Sequence, residues 1–207
     1  MNKLIEFYFD FSSPYAYMAA NLMDDFAKDH HAKLEWIPFV MGAVIKQEGT
    51  QPLLDYPKKG RYSKYDMERT ACYYHLDYAF PSKFPINSVY ASRGFYWIKQ
   101  NIGDEAAIGF AKLVYTAYFV EDKDIANKDI LVDLACHQGH DGQAFLDGIE
   151  TPAIKAYLKE ITDHAADRGV FGAPFFLIDD EPFWGVDRLS LMGYYLEHGE
   201  WPQKTNQ

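Results

Sequence analysis

Leu4-Ile5-Glu6-Phe7-Tyr8-Phe9-Asp10-Phe11-Ser12-Ser13-Pro14-Tyr15 is the stretch on which the fold turns. Its apolar run, Leu4 to Phe11, reads as a buried strand, and the residues that follow, Ala16–Lys28, read as a helix with Met18, Leu22 and Phe26 spaced by four. A Ser followed by Pro at such a junction starts a helix, because Ser caps the free backbone N–H groups and Pro needs no amide hydrogen at the first helical position. The Ser13 hydroxyl then stands where those N–H groups and the positive end of the helix dipole converge, an environment that stabilises anions, a thiolate included. Ser12 lacks the Pro directly after it, so Ser13 is the cap. A Ser-Pro helix start taken alone is only a cap, and a chemical role for Ser13 rests on the far end of the chain.

Working outward, Lys33–Phe39 reads as a second strand, and strand–helix–strand over this length is a parallel, right-handed βαβ unit. Gly49-Thr-Gln-Pro52 and Tyr56-Pro-Lys-Lys-Gly60 read as loops. Helices are predicted over Ser63–Leu76, Ser88–Lys99, Asp104–Phe119 and Asp129–Gln138, with an extended Pro-rich segment at Phe80–Pro85. Residues 46–150 thus read as a helical insertion. Thr151-Pro152 repeats the cap-plus-Pro pattern and opens a helix over residues 152–167. Strands Phe175–Ile178 and Pro182–Trp184 and a last helix, Arg188–Glu197, complete the chain. The expected fold class is α/β: a thioredoxin-like four-stranded mixed sheet built from residues 1–45 and 151–207, interrupted by the all-helical insertion.

Composition bounds the function. The chain has 207 residues, 48% of them hydrophobic and 17% aromatic, and a net charge of −10. Such an acidic protein repels nucleic acid and anionic membranes, and no apolar stretch approaches the about 18 residues of a membrane span. The start of the chain carries an acid within its apolar run, reads as no signal peptide, and points to a cytoplasmic protein. Lys58-Lys59-Gly60-Arg61 is the densest basic segment and reads as a local anion site. The two cysteines, Cys72 and Cys136, form no CxxC pair; Cys72 is expected as a small buried hydrophobe. His137 and His140 match no zinc spacing and read as a solvated loop. Phe110, Val114 and Tyr118 lie at helical spacing and read as core.

Three motifs, in order from end to end, carry a resemblance. Asp10-Phe11-Ser12-Ser13-Pro14-Tyr15 resembles the D-x-x-S-P-[YF] start of kappa-class glutathione transferases and 2-hydroxychromene-2-carboxylate isomerases, members of the DsbA-like branch of the thioredoxin fold. Gly172-Ala173-Pro174 resembles their G-x-P loop, in which the proline is cis, and Trp184-Gly185-Val186-Asp187-Arg188-Leu189 resembles their W-G-x-D-R-[LM] segment. Gly49-Thr50-Gln51-Pro52 and Pro57-Lys58-Lys59 are similar to a kappa-class stretch. Thiol–disulfide oxidoreductases of this fold carry Cys-Pro-x-Cys where this chain has Ser13-Pro14-Tyr15-Ala16, so the sulfur for thiolate chemistry must come from a ligand.

The resemblance implies glutathione as that ligand and Ser13 as the catalytic serine donating to its sulfur. It implies that the Ala173 backbone, ahead of Pro174, pairs with the cysteinyl part, that Trp184, Gly185, Val186 and Asp187 hold the γ-glutamyl end, and that Lys59 and Thr50 hold a carboxylate. Thr50 stands where kappa enzymes have Asn, and Val186 where they have Ser and some isomerases Asn. Phe84-Pro85-Ile86-Asn87-Ser88 resembles the isomerases' substrate-side loop, with Asn87 and Arg93 orienting a carboxylate or carbonyl; Ile86 stands where one such isomerase has Tyr. The activity implied is a glutathione-dependent isomerase acting on a small aromatic or unsaturated electrophile, as a homodimer roofed by the insertion. A kappa-like transferase or peroxidase, and a cysteine-less thioredoxin-fold binding module, are the alternatives.

Overall fold

A computed structural model describes residues 3–47, 49 and 53–202 of the chain. Four strands, β1 (Leu4–Phe9), β2 (Lys33–Pro38), β3 (Phe175–Ile178) and β4 (Glu181–Trp184), form one sheet in the order β2-β1-β3-β4. β1 runs parallel to β2 and antiparallel to β3, and β3 and β4 form an antiparallel hairpin. This is the DsbA-like thioredoxin topology anticipated above. β1 is central: Ile5, Phe7 and Phe9 bury one face, and the other buries Tyr8 beside Glu6, whose carboxylate pairs with Arg168.

Register explains the aromatic core. Phe7 lies opposite Trp36 on one side and Phe176 on the other, with ring centroids 5.2 Å away in both cases. Phe9 continues this face onto Phe95 at 5.8 Å and Tyr115 at 6.0 Å, tying the sheet to two helices of the central segment. The Phe110, Val114, Tyr118 stripe is buried core.

The helices are α1 (Pro14–Asp29), α2 (Met41–Gln47), α3 (Pro57–Tyr73), α4 (Val89–Asn101), α5 (Asp104–Phe119), α6 (Lys128–His137), α7 (Gly142–Ile149), α8 (Pro152–Asp167) and α9 (Leu189–His198). Among the described residues, no strand interrupts 41–149. Two departures from the sequence reading have specific physical causes. The segment Tyr56–Gly60, read as a loop, is the first turn of α3: Pro57 sits at the first helical position, and Gly60 is helical because its Cα faces the Leu54 carbonyl, where a Cβ would stand only 2.8 Å from the oxygen. α2 and α7 were not anticipated; α7 is started by Asp141, whose carboxylate accepts from the N–H groups of Gln143 and Ala144 at 2.9 and 3.0 Å.

Cys72 is exposed, against expectation, because Met67 and Ala71 form the buried face of α3 and the next position turns outward. No group of three or more His, Cys, Asp or Glu among the described residues could hold a metal ion, and no described helix is long and apolar enough to cross a membrane.

Glu150, at the end of α7, gathers the cations of three other helices. Lys128 of α6 and Lys155 of α8 pair with it, the latter at 2.8 Å, and Arg93 of α4 approaches to 3.8 Å. Lys128 first, then Lys155, hold the Glu150 carboxyl down to about 2, from an ordinary 4.5. A carboxyl lowered by folding contributes stability above its unfolded value and loses it as pH falls toward its folded one. Acid titration of the wild type should therefore show stability falling between about pH 4.5 and about 2, and Glu150→Gln should flatten that part of the profile. An unchanged acid limb in urea unfolding of the variant would contradict this assignment.

Candidate active site

The site is built where the chain's two ends meet. β1 stops at Phe9 and α1 starts at Pro14; the four residues between form a tight, buried turn. Asp10 organises it. One carboxylate oxygen accepts from the Ser12 N–H at 2.8 Å and its hydroxyl at 2.7 Å, while the other accepts from the Met41 N–H that opens α2, at 2.8 Å. The Asp10 carbonyl accepts from the Ser13 N–H at 3.0 Å and from the Tyr115 hydroxyl at 3.2 Å. Asp10 is 1% exposed. Asp10 stands in the motif of the sequence without a role of its own there; its signal is an acidic residue two positions ahead of Ser12, the pattern of a side chain that accepts from the backbone two residues on.

Ser13 is the N-cap of α1, its Oγ accepting from the Ala16 N–H at 3.2 Å and donating to the Ala173 carbonyl at 2.7 Å. Ala173 precedes Pro174 through a cis peptide, as the G-x-P resemblance implied; Phe84–Pro85 is also cis. The Pro174 carbonyl accepts from the Gly185 N–H at 3.1 Å, and the Val186 carbonyl accepts from the Tyr74 hydroxyl at 3.4 Å. One continuous hydrogen-bonded path therefore runs from the N-terminus of α1 through the cis-proline loop and the β4 end to α3.

Glycines allow this closeness. At Gly172 a Cβ would fall 2.5 Å from the Trp184 indole nitrogen, and Gly185 takes φ of +105°, a conformation open to Gly and strained for side chains. Trp184 is half exposed and meets Phe171 edge-on at 4.8 Å. Asp187, in the 3₁₀ turn Val186–Arg188 that leads into α9, is exposed and pairs with Arg188 at 3.3 Å.

α3 forms the opposite wall. A cleft of about 370 Å³ is lined by Tyr15, Lys58, Lys59, Tyr62 and Ser63. The Lys59 ammonium lies 4.8 Å from the centre of the Tyr56 ring, and among the described residues neither Lys58 nor Lys59 forms an ion pair. The Tyr15 hydroxyl donates to Asp66 at 2.6 Å, and Arg69 holds that carboxylate from the other side. Burial, and after it the bond to Asp66, keeps the Tyr15 phenol protonated far above its usual range.

The sequence-read residues are thus distributed as follows. Ser13, Ala173, Pro174, Gly185 and Val186 are brought together; Lys59 lines the adjoining cleft, and Trp184 and Asp187 flank the path. Thr50 lies outside the described residues. Asn87 and Arg93 do not line this cleft. The Asn87 side chain is exposed and accepts from the Val89 N–H at 3.0 Å, starting α4, and the Arg93 guanidinium lies between Glu150 and the Tyr90 ring.

A sheet of this order, with a capped helix facing a cis-proline loop and a helical segment between them, defines a DsbA-like thioredoxin-fold protein, and residues 4–197 match the DsbA-like thioredoxin domain family, to which the chain belongs. Within it, the chain belongs to the 2-hydroxychromene-2-carboxylate isomerase family: it is 30% identical, over 95% of its length and 99% of the relative's, to the 2-hydroxychromene-2-carboxylate isomerase of Sphingobium xenophagum. A solved 2-hydroxychromene-2-carboxylate isomerase superposes with a TM-score of 0.85 at 26% identity, covering 94% of both chains. Glutathione S-transferase kappa 1 of Homo sapiens is 23% identical over 94% of this chain and 91% of its own.

Proposed function

We propose that the protein is a glutathione-dependent isomerase acting on a small aromatic or unsaturated electrophile of the 2-hydroxychromene-2-carboxylate type. The observation that carries this reading is Ser13: a hydroxyl at a helix N-terminus, against the carbonyl that precedes a cis-proline, where dithiol enzymes of this fold place their cysteine. The donor set fits glutathione. Lys58 and Lys59, without carboxylate partners among the described residues, line the cleft on one side, a capped helix N-terminus stands at the centre, and the exposed Asp187 carboxylate stands beyond the cis-proline loop.

Bound there, glutathione would supply a nucleophilic thiolate, the group that reversible addition to a conjugated electrophile requires. The chain's own residues do the rest. The α1 N–H groups and dipole favour negative charge at the helix start. Ser13 presents a hydroxyl to it, and Ala173 offers backbone groups for pairing with an extended peptide. Lys59, with Thr50, receives a carboxylate, while Asp187 receives an ammonium beside Trp184, Gly185 and Val186. Asn87 and Arg93 are kept as residues for the second substrate, reached from the α4 side. The protein is proposed to work as a cytoplasmic homodimer.

Conversion of 2-hydroxychromene-2-carboxylate, followed spectroscopically with and without glutathione, tests the reading. Glutathione-dependent conversion without net glutathione consumption supports the isomerase; stable conjugates formed instead would indicate a transferase, as the kappa relatives are named. Asp187→Asn removes the charge offered to the γ-glutamyl ammonium. A charge-assisted hydrogen bond that ligand binding partly buries is worth about 1.5–3 kcal/mol, so calorimetric affinity for glutathione should fall about tenfold or more with the unfolding midpoint unchanged. Equal affinity would remove Asp187 from the site.

A further inference from the structure

Arg93, Lys128 and Lys155 bring three positive charges to one carboxylate. They stand on α4, α6 and α8 and converge on Glu150: Lys128 on Oε1, Lys155 on Oε2 at 2.8 Å, and Arg93 on the same Oε2 at 3.8 Å. Glu150 cancels one of these charges, so two stand uncompensated in a chain whose net charge is −10. Helix direction adds to the imbalance. Lys128 is the first residue of α6, and Lys155 lies in the first turn of α8, a turn without an acid. The N-terminus of a helix is itself positive and favours anions, so lysines there oppose it. Arg93 is the least satisfied of the three. Its side chain is 18% exposed, its Nε is buried with no hydrogen-bond partner, and 3.8 Å is too long for a hydrogen bond from Nη1 to Glu150. The Tyr90 ring stands 5.4 Å from this guanidinium and 4.5 Å from the Lys128 ammonium. Both lysines are partly exposed, so a solute can reach the cluster. None of these residues lines the Tyr15 cleft.

We propose that Arg93, Lys128 and Lys155 form an oxyanion-binding site, which takes the carboxylate or phosphate group of a small molecule beside Glu150. The ligand compensates the two surplus charges, gives the Arg93 guanidinium the acceptor it lacks, and sets an anion at the starts of α6 and α8. Glu150 gathers the two lysines, so an arriving oxyanion meets cations already in place and loses less affinity to ordering them. Such a group has two sources. It is the carboxylate of the second substrate, an identification that rests on the isomerase reading, or it belongs to a free anion, which does not.

Inorganic phosphate is the probe, titrated calorimetrically near neutral pH and at low ionic strength. The wild type should bind one phosphate per chain, and Lys155→Met and Lys128→Met should each weaken it about tenfold. Lys159→Met is the control: Lys159 lies one turn further along α8 and pairs with Asp163, so this variant should bind phosphate as the wild type does. No binding by the wild type at phosphate up to about 10 mM, or equal weakening in Lys159→Met, would overturn the site. The source is read from kinetics. A Michaelis constant for 2-hydroxychromene-2-carboxylate that rises about tenfold in Lys155→Met, with phosphate competing and glutathione affinity unchanged, identifies the oxyanion as the second substrate's carboxylate. An unchanged Michaelis constant beside weakened phosphate binding identifies a free anion. Phosphate bound by a wild type that is inactive on 2-hydroxychromene-2-carboxylate upholds the site and refutes the isomerase reading, whereas an active wild type that binds no phosphate refutes the site alone.

Discussion

Asp10→Ala will destabilise the protein by about 2–6 kcal/mol, the largest loss expected from any single change near the site. The carboxylate is the acceptor for two buried donors, the Ser12 N–H and hydroxyl, and for the part-buried Met41 N–H. Removing it strands both Ser12 donors away from water, and each buried donor left without a partner costs about 1–3 kcal/mol. Asp10→Asn should lose less, since one amide oxygen can still serve Ser12 while the amide nitrogen opposes the Met41 N–H. Urea unfolding with a common slope measures both; a loss below about 1 kcal/mol for the alanine variant would show that water reaches these groups. Activity should fall with stability, because Asp10 holds the turn on which Ser13 stands.

Ser13→Ala carries the largest expected effect on chemistry. Loss of one preorganised donor to a developing or resident anion lowers turnover by about 10²–10³-fold. Stability should fall by the about 0.5–2 kcal/mol of a lost N-cap. The pH titration of thiolate absorbance in the glutathione complex should move upward in the variant, while glutathione affinity changes little. Identical titrations would confine Ser13 to capping. The hydroxyl has a single proton, directed at the Ala173 carbonyl in the free protein. Serving a sulfur therefore requires rotation about Cβ–Oγ, and the Ala173 carbonyl must then take a donor from elsewhere.

Much of this was legible in the sequence because the decisive features are local. Ser13-Pro14 and Thr151-Pro152 announce their helices through chemistry confined to three or four residues, and both caps are present in the structure. The alternation and aromatic runs of β1, β3 and β4 placed the sheet. Local reasoning failed where tertiary contact decides. Pro57-Lys58-Lys59-Gly60 contains two residues that commonly break helices, yet Pro is harmless at the first position and Gly is required by the Leu54 carbonyl. Cys72 reads as core from its aromatic neighbours, of which Tyr73 is itself exposed and only Tyr74 packs against the core. In the site, the resemblance gives Arg93 to a carboxylate or carbonyl of the second substrate; nothing in its own sequence neighbourhood signals that Glu150, from another helix, also approaches it. Tyr15, Tyr74 and Asp66 were missed for the same reason: their partners lie across the fold.

The bond from Ser13 to Ala173 spans 160 residues of sequence, and this sets the order of assembly. A chain emerging at about 5–20 residues per second can form the β1–α1–β2 unit and the intervening helices long before Ala173, β3 and β4 exist. Until they arrive, the central strand has one open edge and the helix N-terminus faces nothing. Competence is therefore conferred last, in a single closing event. Since the entropy of closing a loop grows only slowly with its length, the connectors between the intervening helices can lengthen or shorten with little effect on that closure, provided their packing brings the two ends to the same place.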